Sequence, residues 1–222
     1  MIDFSNTRQT HRYKGRPDEL GMSDIEASYL EELYNKTDVV FEWGSGWSTL
    51  YFKDFVRKYY SVEHDKSWYN LISNEIWKSS DENTELYFKS PHEIKFEKQY
   101  DDVAKIILKE WSEESISRPP SKFEVESYEE DGKWYYKGRS GLDWHCFIDY
   151  LNVIETTNEK RFDVIMVDGR VRPFCAFKAK DYMDEKSILL MHDFTVRPWN
   201  HSILEWFELE KTVDTIGVLR KK

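Results

Sequence analysis

A chain of 222 residues can bury one sizeable core, and 40% hydrophobic with 16% aromatic content supplies the material for it. Its net charge of −10 argues against DNA or RNA as a substrate, because phosphate contacts call for a basic footprint. No apolar run approaches the roughly 20 residues that span a bilayer, the stretch Met1–Leu20 lacks an apolar signal core, and Cys146 and Cys175 fit no zinc, redox or disulfide pattern, so a soluble cytoplasmic protein with reduced thiols is expected.

Residues 1–22 read as an irregular lead-in. Ser23-Asp24-Ile25-Glu26 then has the S-x-x-E form of a capping box, and "ASYLEELYNK" behind it carries apolar residues at helical spacing. "TDVVFEW" is a strand with an unbroken apolar run, the pattern of burial on both faces. "STLYFKDFVRK" reads as a helix, "KYYSVEHD" as a second strand, "KSWYNLISNEIWKSS" as a helix and "TELYFKS" as a third strand. Alternation of this kind predicts βαβ units and a mostly parallel sheet covered by helices on both faces.

The pattern lapses through residues 97–141. An Asp131-Gly132 pair between "FEVESY" and "KWYYKG" signals a hairpin. The segment is too small to own a core and reads as a lid or substrate wall inserted into a single domain spanning 1–222. Regularity returns with "DWHCFIDYLNVIETT" as a helix, "RFDVIMVDG" as a fourth strand, "PFCAFKAKDYM" as a helix and "KSILLMHDF" as a fifth strand. "NHSILEWFEL" is expected to be helical, and "TVDTIGVLRK" a final strand or pair.

Ligands of open α/β sheets bind outside the carboxyl ends of the strands. Glu42, Gly44 and Gly46 end the first strand, Glu63 and Asp65 the second, Asp168 and Gly169 the fourth, His192 and Asp193 the fifth. The notable polar residues thus fall on one sheet edge. A dinucleotide fingerprint, G-x-G-x-x-G, needs a third glycine where Thr49 stands. Glu42 beside the turn also opposes a pyrophosphate and suits a cationic ligand group.

"FEWGSG" followed by "SVEHD" resembles motifs I and II of class I S-adenosylmethionine-dependent methyltransferases. The resemblance covers residues 23–96 and 142–219 and implies a three-layer Rossmann-like fold. It implies that Glu42, Gly44, Ser45 and Gly46 line the methionyl side of S-adenosylmethionine, with Ser48 and Thr49 also among the cofactor-binding residues. Glu63 would accept from the ribose hydroxyls, with His64 or Asp65 flanking the adenine.

"VIMVDGRVRPFCAFKA" and "ILLMHDF" resemble later motifs of small-molecule and glycan O-methyltransferases. Methylating an alcohol requires removal of its proton. His192, with an ordinary pKa of about 6.5, is expected to be neutral at pH 7 and able to accept, with Asp168 or Asp193 orienting it or serving as base. Catechol-type methyltransferases instead hold a divalent metal with an Asp and an Asp-Asn pair. Asp168 and Asp193 match two of these positions but Phe194 replaces the Asn, so Mg²⁺ or Mn²⁺ is a rival use of the same acids. Arg170, Arg172 and Arg197 are expected to form a basic rim for an anionic acceptor.

A sugar or glycan hydroxyl is the leading acceptor, with Trp111, Trp134 and Trp144 available to stack on a pyranose. A small phenolic acceptor comes next. A non-catalytic cofactor-binding protein and a nicotinamide oxidoreductase are the readings from other classes.

Overall fold

The computed structural model describes residues 20–91, 99–100, 103–104, 106, 126–130, 133–137 and 144–222. Helix α1 (Asp24–Leu33) begins as its sequence predicts. The Ser23 hydroxyl accepts from the Glu26 N–H, and Glu26 accepts from the Ser23 N–H at 2.8 Å, so each satisfies a donor the helix leaves open. Strand β1 (Val39–Trp43) follows, then helix α2 (Trp47–Phe52), strand β2 (Lys58–Glu63), helix α3 (Lys66–Lys78) and strand β3 (Thr84–Phe88).

An antiparallel pair, β4 (Glu126–Glu130) and β5 (Lys133–Lys137), forms a separate two-stranded sheet. Glu130 pairs with Lys133, in register with a two-residue hairpin loop, although Asp131 and Gly132 themselves lie outside the described residues, as does Trp111. The second half then runs through α4 (Ile148–Leu151), β6 (Val164–Val167), α5 (Arg172–Ala179), β7 (Ile188–Met191), β8 (Phe207–Val213) and β9 (Ile216–Lys221).

The main sheet has seven strands in the order β3-β2-β1-β6-β7-β9-β8. β3, β2, β1, β6 and β7 are parallel neighbours, and β9 runs antiparallel to both β7 and β8. Winding starts at β1, goes one way to β3, then restarts at β6 on the other side of β1. That reversal opens a crevice at the carboxyl ends of β1 and β6.

The period of two explains the layers. Val39, Phe41 and Trp43 point into one core with residues of α4 and α5, while Val40 points into a second core with Ala27 and Leu30 of α1 and Phe52 of α2. Both faces of the central strands are therefore apolar, as their unbroken hydrophobic runs require.

Two expected helices take other forms. Residues 144–156 make a 3₁₀ turn (Trp144–Phe147), the single α turn α4, and another 3₁₀ turn (Asn152–Thr156). Phe147, Ile148, Tyr150, Leu151, Val153 and Ile154 are all buried, too broad an apolar surface for one helical stripe, and the segment bends to bury it. In "NHSILEWFEL" only the 3₁₀ turn Pro198–Glu205 is helical, while Phe207 to Leu209 open β8. There the ladder to β9, from Phe207 opposite Lys221 onward, overrides local helical spacing. No described helix is long and apolar enough to cross a membrane. Cys146 and Cys175 are not joined in a disulfide, and Cys175 is buried.

Candidate active site

The turn after β1 is shaped by a neighbour. Gly44 has φ +99°, and a β-carbon there would fall 2.6 Å from both the Cα and N of Gly169. On its other side, Gly169 leaves no room for a side chain beneath the Tyr150 hydroxyl. The turns after β1 and β6 thus touch backbone to backbone. Gly46 differs: its φ is −167°, and a β-carbon would meet nothing closer than Ser48 Oγ at 3.7 Å.

Glu42 is fully buried and stands behind the cleft wall. Its position in β1 aims it toward α2, where Ser48 Oγ donates to it at 2.7 Å and Thr49 Oγ1 donates as well. Ser61 Oγ of β2 donates at 3.1 Å. Thr49 Oγ1 also accepts from the Gly46 N–H at 3.0 Å, so the carboxyl pins the glycine turn from below. Burial pushes the Glu42 carboxyl up to about 7, against the pull of these hydroxyls.

Glu63 ends β2 beside this turn. Its Oε1 accepts from the backbone N–H groups of His64 at 2.8 Å and Asp65 at 2.7 Å. Among the described residues its Oε2 has only a 3.5 Å contact from Ser45 Oγ. One oxygen is thus held and the other is weakly engaged. Asp65 is the N-cap of α3, accepting from the Trp68 N–H at 3.0 Å. The Trp68 indole N–H donates to the Ser45 carbonyl at 2.6 Å, tying α3 over the glycine turn.

At the other end, Arg172 joins the turns after β6 and β7. Nε donates to the Gly169 carbonyl at 3.1 Å. One terminal nitrogen donates to the His192 carbonyl and to Asp193 Oδ2 at 2.9 Å, the other to the carbonyl and Oδ1 of Asp168, each at 3.0 Å. All of its N–H donors are occupied. Val171 and Asp193 both hold left-handed backbone, φ +46° and +57°. For a β-branched valine that costs about 1–2 kcal/mol, offset by the clamp between them.

Asp168 Oδ1 also meets His192 Nδ1 at 2.7 Å, and His192 Nε2 lies 3.6 Å from Glu26 Oε2. Asp193 Oδ2 pairs further with Arg197 at 2.8 Å. Burial alone would lower the His192 pKa, but the hydrogen bonds and charges of Asp168 and Glu26 raise it to about 10. A neutral His192 ready to accept a proton at pH 7 is therefore corrected to an imidazolium. Glu26 moves the opposite way: burial would raise it, yet His192, Thr215 and the Ser23 N–H bring it down to about 2.

These residues border a cleft of about 950 Å³ at the sheet edge. Gly44, Ser45, Gly46, Ser48, Glu63, His64 and Asp65 line one part, and Asp168, Gly169, Arg170, Arg172 and Arg197 the other. Glu42, Thr49, His192 and Asp193 do not reach its wall. Trp68 and Leu71, each more than a third exposed, line it too and were missed by sequence reasoning, as were Leu20 and Gly21. The wall-lining position of Trp68 was legible in principle, one helical turn beyond the acid-rich end of β2. Trp144 is buried and stacked on Phe174, centroids 5.3 Å apart, which leaves it no open face for a pyranose.

The donor set does not fit a divalent cation. Both carboxylates that would ligate it are held by Arg172, with His192 or Arg197 as second cations. Among the described residues no group of His, Cys, Asp and Glu is arranged to hold a metal ion.

No family model matches the chain, and no curated protein matches it. Among solved structures it is similar to a methyltransferase-like protein from Silicibacter pomeroyi, at 22% identity and TM-score 0.60, over 92% of this chain and 88% of that one. It is also similar to an SAH-bound methyltransferase from Podospora anserina, at 14% identity and TM-score 0.52, over 90% and 80% of the two chains. The chain has the fold of these methyltransferases.

Proposed function

We propose that this chain is an S-adenosylmethionine-dependent methyltransferase that methylates a hydroxyl group, with a sugar or glycan hydroxyl as the acceptor. The observation that carries the reading is Glu63, at the switch-point cleft beside the glycine turn. Its Oε1 is saturated by two backbone N–H groups, while Oε2 is left to take neighbouring hydroxyls of a ribose. The SAH-bound neighbour with the same fold adds support.

When bound, the cofactor supplies a methyl group on an electrophilic sulfonium. Gly44, Ser45, Gly46 and Ser48 line its methionyl side, Glu63 its ribose, and His64 and Asp65 its adenine. Glu42 and Thr49 act from behind, holding the turn in shape. Asp168 accepts the acceptor hydroxyl: Oδ1 is held by Arg172 and His192, and no hydrogen bond among the described residues uses Oδ2. Asp168 would take the proton from the hydroxyl whose oxygen receives the methyl and pass it to water, while the electron pair of the broken S–CH₃ bond would stay on the departing neutral thioether. Arg172 has no donor left for a ligand. Arg170, bonded through Nε to His64, and Arg197, bonded to Asp193, retain N–H groups that suit an anionic acceptor such as a sugar phosphate. The V-D-G-R and H-D strand ends support an oxygen acceptor, and the 97–141 segment serves as an insertion in a single domain.

Calorimetry with S-adenosylhomocysteine tests the cofactor, and radiolabelled methyl transfer to a panel of sugars and sugar phosphates tests the acceptor. Absence of binding at millimolar ligand overturns the reading. Binding without transfer to any hydroxyl compound leaves a cofactor-binding protein.

A further inference from the structure

The base expected of the sequence, His192, stands behind the cleft wall, and its surroundings give it a different task. Both ring nitrogens face carboxylates: Nδ1 lies 2.7 Å from Asp168 Oδ1, and Nε2 lies 3.6 Å from Glu26 Oε2. A neutral imidazole has one N–H and would turn a lone pair toward one of them; only the imidazolium offers a proton to both. Asp193 adds a third carboxylate, Oδ1 at 4.0 Å from Nδ1. The cation nearby, Arg172, binds the His192 backbone carbonyl and not the ring.

Glu26 is itself immobilised. Its Oε2 takes the Ser23 N–H at 2.8 Å, and its Oε1 takes the N–H and hydroxyl of Thr215 at 3.0 and 2.6 Å. The capping residue of α1 thus also anchors the turn between β8 and β9 and closes on His192. It is 1% exposed, and the His192 side chain 12%.

We infer that Glu26 and His192 are positioning residues, an ion chain from α1 to the cleft in which an imidazolium pairs with Asp168 and fixes which of its oxygens faces the acceptor. His192 accepts no proton in the reaction, because neither ring nitrogen has a free lone pair. Arg172 braces the same oxygen from the other side, which leaves Oδ2 for the hydroxyl. Removing the Glu26 charge leaves Asp168 alone to hold the imidazolium and brings the His192 midpoint down toward about 8, so the orientation of Asp168 becomes pH-dependent. The role of Asp168 rests on the methyl-transfer reading; the charge state of His192 does not.

The test is ¹⁵N NMR of the imidazole in the full chain. In the wild type both His192 nitrogens stay protonated from pH 6 to 8.5, and in Glu26→Gln the titration midpoint falls by about two pH units. Titration of wild-type His192 near 6.5 overturns the inference without any variant having to fold, and an unchanged midpoint in Glu26→Gln overturns the part given to Glu26. With an acceptor in hand, wild-type turnover is level over that range, Glu26→Gln loses turnover as pH rises toward about 8, and its S-adenosylhomocysteine affinity stays within twofold. A level profile in a folded Glu26→Gln protein also overturns it. Failure of S-adenosylhomocysteine to bind the wild type refutes the methyltransferase reading alone, since the NMR titration is read without it.

Discussion

A side chain on Gly44 would occupy the space filled by the backbone of Gly169, with 2.6 Å between the new β-carbon and the Gly169 Cα. Both partners are backbone, so neither can swing aside. Overpacking adds to a φ of +99° that disfavours any L-residue, and Gly44→Ala is expected to cost about 2–5 kcal/mol. Gly46→Ala has extended backbone and open space before it, and is expected to unfold at nearly the wild-type urea concentration. Equal midpoints for the two variants would refute the backbone contact as the reason for Gly44.

Glu63→Gln keeps an oxygen for the N–H groups of His64 and Asp65 and replaces the weakly engaged carboxylate oxygen by an amide donor. A hydroxyl that donated to the carboxylate then meets a donor. Loss of a hydrogen bond to a charged group is worth about 1.5–3 kcal/mol, so S-adenosylhomocysteine is expected to bind roughly 10- to 100-fold more weakly. The melting temperature without ligand should barely move. Unchanged affinity by calorimetry would remove Glu63 from the ribose.

The sheet was legible because its strands are buried on both faces and announce themselves as apolar runs between turns. The crevice followed, since polar residues gathered at the ends of those runs. What each polar residue does there was not legible. Glu42 and Glu63 both stand near strand ends and share one face of the sheet, since Ser61 pairs with Glu42 and lies two residues before Glu63, yet Glu42 sits deeper along its strand under the hydroxyls of α2 while Glu63 reaches the cleft. His192 and Arg172 looked like free functional groups. Their partners, Glu26 and Asp193, come from opposite ends of the chain or sit on the next turn, and one-dimensional spacing does not show such closures. Glu26 was read as a helix cap, which it is, but one carboxylate serves the cap, the β8–β9 turn and His192 together.

Glu42 gives the protein a pH signature. Its carboxyl is raised from an ordinary 4.5 to about 7 because burial disfavours the charge. Between those values the folded chain keeps a proton that the unfolded chain releases, so stability falls as pH rises from about 4.5 to 7 and the penalty persists above. Glu42→Gln should remove this dependence, its oxygen still accepting on one side while its NH₂ donates to hydroxyls that rotate to accept on the other, as the protonated carboxyl requires. Urea midpoints at pH 5 and 8 check it. The variant should lose less stability than the wild type between the two, and an equal loss would place the titration elsewhere.

Arg172→Lys keeps the charge and loses the fork. A lysine has three donors on one nitrogen, and cannot span the Gly169, Asp168 and His192 carbonyls together with two carboxylates. Buried acceptors are then stranded, and the left-handed turns at Val171 and Asp193 lose their brace. Breaking a buried ion pair by removing one partner costs about 3–5 kcal/mol, and because lysine retains the charge the expected loss here is about 2–4 kcal/mol. Methyl transfer should fall further than S-adenosylhomocysteine affinity, since the clamp holds Asp168 and its turn while Glu63 stands on a different strand. An Arg172→Lys protein within about 0.5 kcal/mol of wild type, the margin of an ordinary surface substitution, would mean that the guanidinium bonds are dispensable and that Asp168 is positioned by His192 alone.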